Sequence, residues 1–154
     1  MTDLEKRVSE DLLSAMKSKK EMEVSSLRML KAEFQKAKTE KGRTGDLTEE
    51  EVLAVIQRLV KQRRESAEQF SVLGVKDRAD EELREAGFLE SYLPEQLSDH
   101  ELEKAVADAA ALVNAAGPRD MGRVMGAVMA AVKGRADGKR VRAKVTEHLQ
   151  SLGA

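Results

Sequence analysis

Three [S/T]-x-x-E boxes divide this chain: Thr2 with Glu5, Thr48 with Glu51, and Ser98 with Glu101. In such a box the hydroxyl takes an orphan N–H of the first helical turn and the glutamate reaches back to the cap, so each box marks a helix start. Behind each, apolar residues recur every three or four positions. Leu4, Val8, Leu12 and Met16 follow the first box, and after the polar run Lys17–Lys20, which bends or breaks the helix, Val24, Leu27, Leu30, Phe34 and Ala37 resume the stripe. Val52, Ile56, Leu59, Arg63, Ala67 and Phe70 follow the second, as far as Gly74, a natural helix-ending residue. The only two prolines, Pro94 and Pro118, fall between stripes. With 3% aromatic residues and abundant Ala, Leu, Glu, Lys and Arg, the chain reads as all-α.

The stripes predict an N-terminal helical hairpin domain, residues 1–93, in which the segment to about Lys41 pairs with 48–74 across the turn Gly42–Asp46. An acidic helix capped by Asp77 follows, carrying Leu83, Ala86, Leu89 and Leu93. A small C-terminal three-helix module, residues 97–154, comes next. Leu102, Val106, Ala109 and Val113 lie on its first helix, Met121, Val124, Met125, Val128 and Val132 on a second capped by Asp120, and Val141, Val145 and Leu149 on the last.

The formal net charge of −1 hides a partition. Residues 1–76 carry +2, residues 77–117 carry −8 and residues 118–154 carry +5. The basic end is dense from Lys133 to Lys144, where Gly134 and Gly138 flank a turn and Lys139, Arg140, Arg142 and Lys144 open the last helix. A helix N-terminus among cations attracts anions, and repeated phosphates engage several such groups at once. On composition alone, a basic cluster more often keeps a helix soluble. The segment has no aromatic side chain for base stacking, so a nucleic acid held there is read by backbone and shape.

Catalytic chemistry finds little foothold. No cysteine is present, the two histidines are His100 and His148, and no G-x-x-x-x-G-K-[ST] run occurs. This points to no metal centre, no cofactor and no catalytic residue. Gly122 and Gly126, four apart, read as a close helix-packing face rather than a phosphate cradle. Met121, Met125 and Met129 read as core filling, Glu49-Glu50-Glu51 as first-turn dipole compensation, and His148 as solvated. No apolar run reaches the roughly 18 residues of a membrane span, and MTDLEKRVSEDL is unlike a secretory leader, so a cytoplasmic protein without a membrane partner is expected.

The run Asp120-Met121-Gly122-Arg123-Val124-Met125-Gly126-Ala127-Val128-Met129, followed by Lys133-Gly134-Arg135-Ala136-Asp137-Gly138, resembles the signature of the GatB/YqeY family. Tyr92-Leu93-Pro94-Glu95-Gln96-Leu97-Ser98 and Leu27-Arg28-Met29-Leu30-Lys31-Ala32-Glu33 resemble its standalone YqeY-type members. The resemblance implies kinship with the tail of the B subunit of the tRNA-dependent amidotransferase, which helps engage tRNA, whereas ATP-dependent activation belongs to a separate domain. It implies a tRNA-binding accessory protein, with Arg119, Arg123, Lys133, Gly134, Arg135, Gly138, Lys139, Arg140, Arg142 and Lys144 as the candidate interface. Two alternatives stay open. One is the glutamine-dependent carbon–nitrogen ligase activity carried by family naming. The other is an adaptor whose partner is an amidotransferase or an aminoacyl-tRNA synthetase.

Overall fold

The computed structural model describes residues 1–43 and 45–153, with the side chain of Lys41 also left aside. Every regular element among them is helical: α1 Asp3–Lys17, α2 Glu21–Thr39, α3 Glu49–Val72, α4 Lys76–Glu90, α5 Asp99–Leu112, α6 Met121–Val132 and α7 Gly138–Leu152, with 3-10 turns at Glu40–Gly42 and Pro118–Asp120. No described helix is long and apolar enough to cross a membrane. The chain divides into two compact units, Met1–Leu93 and Pro94–Ala154.

All three capping boxes form, with each hydroxyl accepting from the N3 amide and each glutamate from the cap amide. Lys17–Lys20 breaks the first stripe outright. Ser18 ends α1, Lys19 turns left-handed at φ 54°, and the Lys20 amide donates back to the Ala15 carbonyl. Gly74 closes α3 in the same way, at φ 77°, with the Val75 amide on the Phe70 carbonyl. Asn114 does so for α5 at φ 55°, so that helix stops short of Gly117-Pro118.

In the first unit, Val8, Leu27, Leu30, Phe34, Val52, Ile56, Leu59, Leu89 and Tyr92 make one core. Full burial of a Leu or Ile is worth about 1.5–3 kcal/mol. The helical pairing differs from the expected one. The C-terminal part of helix α3 pairs with α4, and α1 with α2, rather than the first long segment pairing with 48–74. The short turn at Gly74 gives α3 and α4 the closer geometry, and ion pairs add to it: Arg63 with Glu82 and Glu85, and Arg64 with Glu90. Asp77 does not cap α4; Val75 occupies that position and contributes no side-chain cap. The Tyr92 hydroxyl donates to Asp11 at 2.5 Å, and its ring stands edge-on to Phe88.

In the second unit α5, α6 and α7 surround Leu102, Val106, Val124, Val128, Val132, Val141, Val145 and Leu149. Valines, more than methionines, fill this core: Met121 and Met125 pack at its edge and Met129 is exposed. Gly153 ends α7 against Pro118, where an added Cβ would meet the ring at 3.1 Å.

Candidate nucleic-acid interface

The α6–α7 turn is built by two successive left-handed residues, Lys133 at φ 40° and Gly134 at φ 80°, after which the Arg135 amide returns to the Val132 carbonyl. Ala136 is buried, and Asp137 caps α7 by accepting from the Arg140 amide at 2.9 Å. One of the first-turn amides that the sequence offers to an anion therefore already has a carboxylate partner.

The ten candidate residues do not behave alike. Arg135 Nε donates to the Glu95 carbonyl at 2.9 Å, and Gln96 Nε2 to the Gly134 carbonyl at 3.1 Å. The Leu97 amide donates to the Arg135 carbonyl, while Arg140 Nη2 reaches the Leu97 carbonyl at 2.6 Å and Asp99 at 3.1 Å. Arg135 and Arg140 thus strap segment 95–99 onto the turn. Lys144 pairs with Glu103 at 2.9 Å, a contact that raises its pKa. Arg123 bridges the end of α5 to the start of α6, donating to the Val113 carbonyl and to Asp120.

Asp120 was expected as the cap of α6, but its carboxylate turns back instead. It takes the Ala116 amide at 2.8 Å and the Gly117 amide at 3.3 Å. The Arg123 hydrogen bond, reinforced by those amides, holds its pKa down at about 2.

Arg119, Lys133, Lys139 and Arg142 are exposed and carry no ion pair among the described residues. Lys139 and Arg142, three apart on α7, are neighbours on its surface. Lys133 ends α6 at the same turn, whereas Arg119 precedes the other end of that helix. Gly138 opens α7 with open space where a Cβ would stand.

Gly122 and Gly126 also depart from expectation. Both are exposed, and a Cβ on either would meet nothing within 4 Å. They are not helix-packing glycines. With Met129 they line one outer stripe of α6 that runs toward Lys133. A four-residue spacing puts two glycines on one face of a helix but does not say what covers that face.

His148 is half-buried and His100 exposed. Among the described residues, no group of three or more His, Asp and Glu side chains is placed to hold a metal ion.

No curated protein matches the chain. The family described as Yqey-like protein matches residues 5–149. The chain belongs to the YqeY family, which is related to the C-terminal region of the B subunit of the tRNA-dependent amidotransferase.

Proposed function

We propose that this protein is an RNA-binding accessory module whose ligand is a structured RNA, tRNA by family kinship. Lys133, Lys139 and Arg142 make the primary phosphate contacts. The observation that carries this reading is where those three cations stand. Lys133 occupies a left-handed position that favours glycine. Lys139 and Arg142 lie in the opening turns of α7, where the helix dipole disfavours positive charge, and the first turn of α7 has no acidic residue. By contrast, α1, α3 and α5 all place acidic residues there. Gly126 adds a helix-interior glycine, costing about 1 kcal/mol against alanine without gaining a packing contact, and Gly122, in the first turn of α6, gains none either. Local choices that cost stability and cluster together are what a binding surface looks like.

An aromatic-free surface with separated cations suits the sugar–phosphate backbone of a folded RNA rather than stacked single-stranded bases. Arg135 and Arg140 serve the site indirectly, by holding the turn in shape, while Lys144 ties α7 to α5 and Arg123 ties the start of α6 to the end of α5. Arg119, at the other end of α6, extends the face.

The test is fluorescence anisotropy of labelled tRNA over a salt series, comparing wild type with K133A/K139A/R142A. Each phosphate contact contributes roughly 0.9 to the slope of log K against log salt on a duplex. The triple variant is expected to flatten that slope by about 2.7 and to leave a same-length single strand as the poorer ligand. Equal tRNA affinity and slope in the two proteins would overturn the proposal and favour an adaptor role toward a synthetase or amidotransferase.

A further inference from the structure

Four of the exposed large apolar side chains among the described residues lie together where α3 meets α4, far in sequence from any residue of that interface. Val72 is 82% exposed, Leu73 74%, Leu83 52% and Val75 41%. Leu83 was expected on the buried stripe of α4, yet only Ala79, Ala86 and Leu89 of that helix are buried. A groove of about 580 Å³ runs between the two helices here, with Ala67 and Ala79 as its small floor and Val72 and Leu83 on its walls. Clustered exposed apolar groups rimmed by charge mark an association surface.

We propose that this groove is the contact surface for a second copy of the same chain, the two α3–α4 pairs packing side by side about a two-fold axis into a four-helix bundle. Glu68, Lys76 and Asp80 border the groove, and none has an ion-pair partner among the described residues. The register of the pair follows from two contacts, Arg63 on Glu85 at 3.2 Å and Arg78 over the Phe70 ring at 4.9 Å. These place Lys76 level with Val72, and Asp80 level with Glu68. The rim therefore carries a cation near the tip and two anions about one helical turn below it.

Such a rim is self-complementary under one operation only. With a two-fold axis midway between Lys76 and Asp80, each Lys76 faces the Asp80 and Glu68 of the other copy. The same axis brings each Leu83 toward the other copy's Leu73 and Val72. An isologous contact of this kind satisfies every unpaired rim charge and covers the apolar walls at once. A parallel arrangement would instead set like charge against like.

Sedimentation velocity of the full chain, from about 1 to about 100 μM, is expected to show a monomer converting to a species of twice the chain mass. K76E sets four like-charge pairs across the axis, against Asp80 and Glu68 of each copy, and D80K sets two; each is expected to raise the dissociation constant at least about tenfold. An equimolar mixture of K76E and D80K restores opposite charges at both 76–80 contacts and leaves one like-charge pair, between the substituted position 76 and Glu68, so it is expected to form a heterodimer tighter than either variant's own dimer. L83E is expected to be monomeric with unchanged helical circular dichroism, because Leu83 contributes little to the monomer core. A wild-type chain that stays monomeric throughout, or a dimer that neither K76E nor L83E weakens, would overturn the proposal. So would failure of the mixed variants to rescue each other.

Discussion

Replacing Lys133 by glycine separates stability from binding, because the two effects have opposite signs. Lys133 sits at φ 40°, where its Cβ crowds the backbone. A left-handed residue other than glycine costs about 1–2 kcal/mol, and glycine returns roughly 0.4–1 kcal/mol of that through the freedom it gives the unfolded chain. The net expectation is stabilisation of the Pro94–Ala154 unit by about 0.5–1 kcal/mol. For a unit of this size that raises its melting temperature by roughly 2–8 °C. The side chain has no partner among the described residues, so no hydrogen bond is lost to offset the gain. The same substitution removes one proposed phosphate contact, flattening the salt slope of tRNA binding by about 0.9. Thermal melting by circular dichroism and anisotropy titrations at four or more salt concentrations read the two effects separately. K19G is the matched control: it relieves the same strain at φ 54° at the end of α1, in the other unit, and is expected to stabilise without changing the slope. A K133G protein that melts lower refutes the strain argument. One that melts higher but binds tRNA with the wild-type slope removes Lys133 from the interface.

Leu149 is fully buried in the second unit, and L149A is expected to cost about 2–5 kcal/mol, with amide protection lost across 94–154 but kept in the separate core of 1–93 by hydrogen exchange. S98A removes the hydroxyl that accepts from the Glu101 amide and is expected to cost about 1 kcal/mol, read as a lower urea midpoint at unchanged slope. Asp120 has a folded pKa of about 2, below its unfolded value, so the folded unit binds fewer protons between the two. Its contribution is present above the unfolded pKa of about 3.9 and lost as pH falls through about 2, and D120N is expected to flatten the stability profile across that window.

Helix starts were legible because their chemistry is local. Thr2, Thr48 and Ser98 each carry both halves of a box within four residues, and nothing distant is needed to complete it. Helix ends were less so. Lys19, Asn114 and Lys133 hold left-handed turns at positions where glycine is the usual signal. Asp77 falls two residues beyond the cap position of α4, and Asp120 holds the cap position of α6 while its carboxylate is drawn to the Ala116 and Gly117 amides. Within the candidate interface, residue type marked all eight cations equally. Which of them are spent on the fold depends on partners far along the chain: Asp99 lies 41 positions from Arg140, and Glu103 lies 41 from Lys144. No local pattern carries that information.

The charge partition changes meaning for the same reason. Read linearly, residues 118–154 carry +5 and would draw RNA from a distance. The fold lays acidic α5 against α7, through Asp99 on Arg140 and Glu103 on Lys144. The whole unit Pro94–Ala154 then holds nine basic and eight acidic side chains, a net of only +1. Long-range steering by such a unit is weak, and the attraction that remains is local to Lys133, Lys139, Arg142 and Arg119. This sets a ceiling on the experiment. Four free cations account for a salt slope of at most about 3.6 on a duplex. A measured slope well above that value requires cations now bound to Asp99, Glu103 or Asp120 to leave them for phosphate, or requires the first unit to join the contact. R140Q and R123Q distinguish these cases. If they lower the slope in a protein that is still folded, RNA competes with Asp99 and Asp120 for these arginines, and the interface is made on binding. If they leave it unchanged, the four free cations act from a turn already fixed by the fold.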